Sequence, residues 1–326
     1  VRVWAGLRSA QILLNITAFP SLAFRVGFGA GSAILLPSKT PAAMPSFLEQ
    51  TIIVLESTLL LGGLGFLGWL FLSAAGRAAR ARPAALPVWE VSLTDFLFLL
   101  WLVLTLGFLG QGLLRLLIGH TLRSQPESGT IELVLYGSMF HAGAILAWLC
   151  AHVLQRRRQR TRGETEPFRP RACLRDSVRA AVLTFLVVVP LVGGAGFLWE
   201  HLLKVVHLPT ERQELVDLFT QTKSPALLGF MVVLALAVAP ISEELVFRAW
   251  LFRFLRTRIP CWAAYGASAG LFALLHANWV TFLPLFILGV LFAAAYERTG
   301  DIRVPMFAHA LFNLHTLLLV LSGISQ

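Results

Sequence analysis

Charge is what this sequence has least of. Only 13% of its 326 residues are Asp, Glu, Lys or Arg, against 57% hydrophobic, and the mean hydropathy is +0.74. A soluble globular domain carries about 25% charged residues, so that class is excluded. Cysteine is scarce too. Cys150, Cys173 and Cys261 make an odd count without a CxxC, which indicates neither a disulfide framework nor a cysteine metal site. Acids are outnumbered, 17 to 27, for a net charge of +10. The bases sit in short clusters between apolar runs, with no stacking platform and no zinc-finger spacing. That pattern excludes nucleic acid as a partner and suits loops that face anionic lipid headgroups.

The apolar runs predict an all-α, multi-pass bundle of about eight spans, near 51–74, 93–118, 130–154, 178–199, 226–252, 261–277, 280–297 and 304–322. Most approach the ~20 residues needed to cross a bilayer; the sixth and eighth are short. Alternate loops hold 16 Lys and Arg on one side and 4 on the other. The positive-inside rule therefore assigns 75–92, 155–177, 253–260 and 298–303 to the cytoplasm, and all three cysteines fall near that side. The expected location is a cell membrane, that of a bacterial inner membrane. Residues 1–43 hold four bases and no acid around a broken apolar run. They read as a targeting segment, a poor first span, or an extension upstream of a start at Met44. The last is preferred, because Val1 suits an alternative start codon. The basic stretch 155–175 divides residues 44–172, with three spans, from 173–326, with five. Residues 200–223 read as an amphipathic helix at the outer interface, with Leu203, Val206, Leu215 and Leu218 among charges.

The chemistry gathers in the second part. Pro225 to Val238 is fourteen residues without a charge or polar side chain, and Ala239-Pro240-Ile241-Ser242-Glu243-Glu244-Leu245-Val246-Phe247-Arg248 follows. Ionisable groups at membrane depth are costly and are functional candidates by default. On a helix Glu244 and Arg248 share a face and can pair, whereas Glu243 lies about 100° round. Pro240 removes a backbone donor, and Ser242 is placed to cap a restarted helix. Further on, Phe272 and His276 are one turn apart, as are His309 and Asn313. An imidazole beside a carboxylate polarises water; a second imidazole and an amide can donate to an oxyanion. In the first part, His141, Glu56 and Asp95 read as helix–helix or interfacial hydrogen-bonding groups.

Glu243-Glu244-x-x-x-Arg248, Phe272-x-x-x-His276 and His309-x-x-x-Asn313, in that order, resemble the three signature motifs of the CPBP family. These are the CAAX proteases and bacteriocin-processing enzymes, also called the ABI family, related to the type II CAAX prenyl endopeptidase. Tyr296-Glu297-Arg298-Thr299-Gly300 before Pro305 and His309 is similar as well. The resemblance covers about 225–320. It implies an intramembrane endopeptidase acting on a membrane-embedded or lipid-associated protein, with Glu243 and His276 activating water and His309 and Asn313 stabilising the oxyanion. Glu244, Arg248 and Phe272 become supporting residues.

Three alternatives stay open. The first concerns a cofactor: either a divalent metal such as zinc, on Glu243, His276 and His309, or none. A second is a serine mechanism, since Gly266-Ala267-Ser268-Ala269-Gly270 fits G-x-S-x-G. Against it, Ala263, Ala267 and Gly270 read as a close-packing helix face. The third is a non-catalytic immunity or scaffold protein with the same polar cluster. Depth also raises a difficulty: at ~1.5 Å per residue Glu243, His276 and His309 fall at different heights in ideal spans, so a helix must be broken, tilted or staggered.

Overall fold

A computed structural model describes residues 47–87, 91–123, 128–161, 172–208, 210, 218–219 and 221–322; the proposed extension 1–43 and residues 162–171 of the basic stretch 155–175 lie outside them. Among the described residues there are helices and no strands. The helices are α1 (Phe47–Leu72), α2 (Ala74–Ala81), α3 (Leu93–Arg123), α4 (Ser128–Thr161), α5 (Leu174–Val205), α6 (Pro225–Arg256, in five consecutive segments), α7 (Cys261–Leu275), α8 (Trp279–Thr299) and α9 (Arg303–Ser322). Seven are long and apolar enough to cross a membrane, so the chain is a multi-pass, all-α membrane protein. The expected sixth span is α7, which at fifteen residues falls short of that length. Its termini explain this. Pro260 precedes it, and at the far end Ala277 takes a left-handed φ of 49°. Asn278 then caps α8 by accepting from the Thr281 N–H at 3.1 Å.

The expected amphipathic helix over 200–223 is corrected at its start. Residues 200–205 continue α5, Leu203 is buried, and His207 turns the chain with a φ of 55°; 209, 211–217 and 220 lie outside the described residues. α6 opens on a Ser224 cap with Pro225 behind it, a start that needs no proline N–H.

Helices α5, α8 and α9 pack together, α1 joins α5, and α7 pairs with α8. Their shared core holds Phe185, Val188, Phe272, Leu288, Phe292 and Phe312. α3 and α4 pair with one another, and α4 lies along α6. Val134 clusters with Leu234 and Ala235, His141 bonds Ser242, and Ala147 clusters with Trp250. Both lists ascend, so α4 and α6 run parallel, in steps of six to eight residues close to a heptad seam. One intervening span, α5, makes that direction obligatory.

At the end assigned to the cytoplasm, the stretch after α2 is tied to the end of α8. The Glu297 carbonyl accepts from the Ala85 and Leu86 N–H groups, both at 3.0 Å. Arg298 donates to the Arg80 carbonyl at 2.7 Å. The Glu297 carboxylate accepts from Arg256 at 2.5 Å and from the Tyr265 hydroxyl. Gly300 closes α8 at φ 64°, with Ala85 too near for a side chain. The Tyr296–Gly300 stretch is thus a clasp between the two parts of the chain.

Candidate active site

The site begins with a helix that cannot run regularly. Ala239 N–H bonds the Leu234 carbonyl five residues back, in a wide π turn. In that register the next donor would be residue 240, aimed at the Ala235 carbonyl. Pro240 has no N–H to give. Asn313 of α9 fills the vacancy, donating from Nδ2 to the Ala235 oxygen at 2.8 Å. After the short α-helical stretch Ala239–Glu244, a second π segment spans Leu245–Phe252. Such bulges re-aim side chains and recur at functional sites. They also change the rise per residue, so the ideal-helix depths do not hold and the motif residues can meet. Ser242 does not cap a restarted helix as its position suggested. Its hydroxyl donates to the Ala239 carbonyl at 3.0 Å, and the helix passes through it.

Glu244 and Arg248 pair at 2.9 Å, both essentially inaccessible to solvent. Arg248 also reaches the Gly289 carbonyl, at 3.5 Å, and its guanidinium lies over the Phe272 ring, 4.4 Å from the centroid. Phe292 and Phe247 are the next rings out, at 5.5 and 5.9 Å. A buried cation is tolerated because a carboxylate, a carbonyl and aromatic faces replace water. Gly289 is required for this approach: a Cβ there would stand 2.9 Å from the Ala269 Cβ.

Glu244 does more than neutralise Arg248. The same oxygen, Oε1, receives His309 Nδ1 at 2.9 Å. The other ring nitrogen, Nε2, stands 3.8 Å from Glu243 Oε2. Each nitrogen of His309 therefore faces its own carboxylate, because the helical phase splits the two glutamates. His276 is fixed differently. Its Nδ1 lies 2.6 Å from the Phe272 carbonyl. A carbonyl only accepts, so Nδ1 carries the proton and Nε2 presents a lone pair. Phe272 packs against both imidazoles, with ring centroids 4.6 Å from His276 and 6.2 Å from His309. Glu243, Glu244, Arg248, Phe272, His276, His309 and Asn313 are all buried.

The sequence reading placed His141 among the helix–helix hydrogen bonds of the first part of the chain. It does make one, through Nδ1 to the Ser242 hydroxyl at 2.6 Å, but the bond sets it beside the motif helix. The signal available in the sequence was a histidine near the middle of a long, mostly apolar span.

Ser268 lies within α7, not at a turn, and donates to the Phe247 carbonyl at 3.0 Å. A nucleophile elbow needs a sharp, exposing turn. The expected packing face of α7 is rotated: Ala267 is exposed, whereas Ala264, Ser268 and Ala269 are buried. Among the described residues no group of three or more His, Cys, Asp or Glu is arranged to hold a metal ion. Glu243, His276 and His309 do not fit that role here, and no step below passes through a metal.

Comparison with known proteins finds similarity over the stretch that holds these groups. Residues 225–315 match the family described as Type II CAAX prenyl endopeptidase Rce1-like. A Bacillus subtilis (strain 168) protein named "Putative membrane peptidase YdiL" is 26% identical over 148 residues, 45% of this chain and 58% of that protein. The Lactococcus lactis subsp. lactis (strain IL1403) "UPF0177 protein YbdI" is 28% identical over 145 residues, 42% of this chain and 74% of that protein. The chain thus spans just over half the length of the first relative. No solved structure matches. The stretch matched by the Rce1-like family model, 225–315, holds every motif residue, and the chain is similar to that family there.

Proposed function

We propose that this chain is an intramembrane endopeptidase that hydrolyses a peptide bond of a membrane-associated protein by water activated at Glu243 and His276. One observation carries the reading. Two buried carboxylates flank one imidazole, Glu244 at 2.9 Å from Nδ1 and Glu243 at 3.8 Å from Nε2. Glu244 is committed to Arg248 and His309, and the reading assigns the water to the other carboxylate, Glu243.

In the proposed reaction the Glu243 carboxylate removes a proton from water as its oxygen adds to the scissile carbonyl carbon. The bare Nε2 of His276 accepts the water's hydrogen bond and orients it. The carbonyl oxygen becomes an oxyanion, held by His309 through Nε2 and by the second N–H of Asn313. Collapse expels the amine, which takes the proton from Glu243. The substrate class follows from the resemblance: a protein segment at or in the bilayer, one with a lipid-modified C-terminus among the candidates.

The test compares new protein N-termini in membranes that carry the wild-type chain, Glu243→Ala, or no chain. Termini that appear with the wild type alone support the reading; identical sets in all three overturn it.

A further inference from the structure

We propose that Glu56 of α1 and His315 of α9 are positioning residues for the reaction: their hydrogen bond sets the rotation of α9, and with it the aim of His309 and Asn313 at the oxyanion. The inference rests on the endopeptidase reading. It gives the first span, which lies outside the matched stretch 225–315, a part in turnover.

His315 Nε2 and Glu56 Oε1 are 2.5 Å apart, and each side chain is only 10% exposed. The bond joins residues 259 positions apart in the chain. On α9 His315 follows Asn313 by two residues, about 200° round the axis, whereas His309 and Asn313 are about 40° apart. The two site residues therefore share one side of the helix, and His315 takes the other. Asn313 grips α6 through the Ala235 carbonyl at 2.8 Å, and His315 grips α1 within the same turn. Bonds on opposite sides of one turn oppose rotation of the helix in either sense. Side-chain tips stand ~5–6 Å from a helix axis, so a rotation of about 10° carries them about 1 Å. A misplacement of that size can cost about 10²-fold in rate.

Attachment of α1 does not account for the pair. α1 packs chiefly along α5, and its closest approach there is through backbone. Gly63 comes so near the Leu186 carbonyl that a Cβ would stand 2.3 Å from that oxygen. Pro190, one turn later, has no N–H to serve the same oxygen. Leu59 and Leu60 pack on the shared core nearby. Small residues and close backbones are what hold helices together in a bilayer. Glu56 bonds across to α9 instead. Nor does His315 sit in a polar interior. Leu314 beside it is exposed on the apolar flank of α9, where an apolar side chain would cost least. The Nδ1 of His315 is buried without a hydrogen-bond partner. The ring is oriented by Glu56 and by an edge contact with Phe185, 5.8 Å between centroids. What the pair adds over apolar packing is a bond of fixed length and direction to the helix that carries the oxyanion donors.

Removing both partners at once separates this role from a structural one. The double variant Glu56→Leu, His315→Leu replaces the pair by apolar side chains that need no partner in the bilayer. Glu56→Gln keeps a side chain that can hydrogen-bond the imidazole whichever tautomer it holds. A reporter peptide is built on a cleavage site that Glu243→Ala abolishes, and kcat, KM and the thermal midpoint in detergent are measured for each variant. In the double variant the midpoint and KM should stay near wild type while kcat falls about 10- to 100-fold. Glu56→Gln should recover most of kcat. A readout apart from activity comes from nitrogen-15 labelling of asparagine, since the chain has only Asn15, Asn278 and Asn313. The Asn313 side-chain amide resonance should move in the double variant and stay in place in Glu56→Gln. Wild-type kcat in a folded double variant, an unmoved Asn313 amide there, or Glu56→Gln no more active than the double variant overturns the proposal and leaves the endopeptidase reading standing. An absence of any Glu243-dependent cleavage overturns both.

Discussion

Asn313 donates to the Ala235 carbonyl at 2.8 Å, the acceptor that Pro240 leaves unserved in the π turn of α6. The motif asparagine thus holds the motif helix in shape, whatever it also does for an oxyanion. Asn313→Ala should destabilise the protein by roughly 1–3 kcal/mol, the cost of a buried acceptor without a partner. Pro240→Ala in the same chain restores an N–H to the helix, and should return part of that loss. A double-mutant cycle of thermal midpoints in detergent checks this, and strictly additive effects would contradict it.

The two adjacent glutamates should fail in different ways. Glu243→Ala should remain folded and lose about 10²–10⁴-fold in cleavage rate, the usual weight of a general base. Glu244→Ala strips the partner from a buried guanidinium and from His309. It should cost on the order of 3–5 kcal/mol and reduce the yield of folded protein. Size-exclusion profiles beside the activity assay separate the two outcomes; equal loss of fold in both variants would refute the division of roles.

Ser268→Ala removes one hydrogen bond to the Phe247 carbonyl. The expected cost is about 0.5–1.5 kcal/mol of stability, with cleavage retained. Complete loss of cleavage in a folded Ser268→Ala protein would restore the serine mechanism.

Gly289→Ala presses a methyl group into Ala269, where a Cβ would lie 2.9 Å from its neighbour. Overpacking of this kind costs about 1–3 kcal/mol. Because the Gly289 carbonyl also receives Arg248, activity should fall together with the thermal midpoint. Pairing with Ala269→Gly, which removes the opposing methyl, should recover both.

Outside the spans, Asp301 links the starts of α5 and α9. Burial raises its carboxyl, but hydrogen bonds from Arg303 and Ser177 outweigh that and hold it below the ordinary Asp value. A carboxyl lowered in the folded state contributes stability that is complete above its unfolded value, about 3.9, and is lost as pH falls through the folded value. Asp301→Asn should therefore flatten the acid limb of the midpoint-versus-pH curve below about pH 4 while leaving the neutral region lower by a constant amount. An unchanged acid limb would show that the group does not report on folding.

Much of this molecule was legible as a string because the bilayer imposes local rules. Long apolar stretches must be helices, so of the eight spans expected from composition and length seven are long enough to cross, and only the one at α7 falls short. The i, i+4 spacing alone pairs Glu244 with Arg248 and turns Glu243 away, since one helix fixes both angles. Contacts between helices obey no such local rule. That Glu244 also holds His309, that Asn313 repairs the turn at Pro240, and that α7 packs through Ala264 and Ala269 and not Ala267 depend on helix rotation and broken register. These are set by how whole helices fit together. His141 is the clearest case. Its sequence neighbours mark it as an ordinary span residue, and only the parallel seam of α4 on α6, 101 positions apart in the chain, brings it to the motif serine.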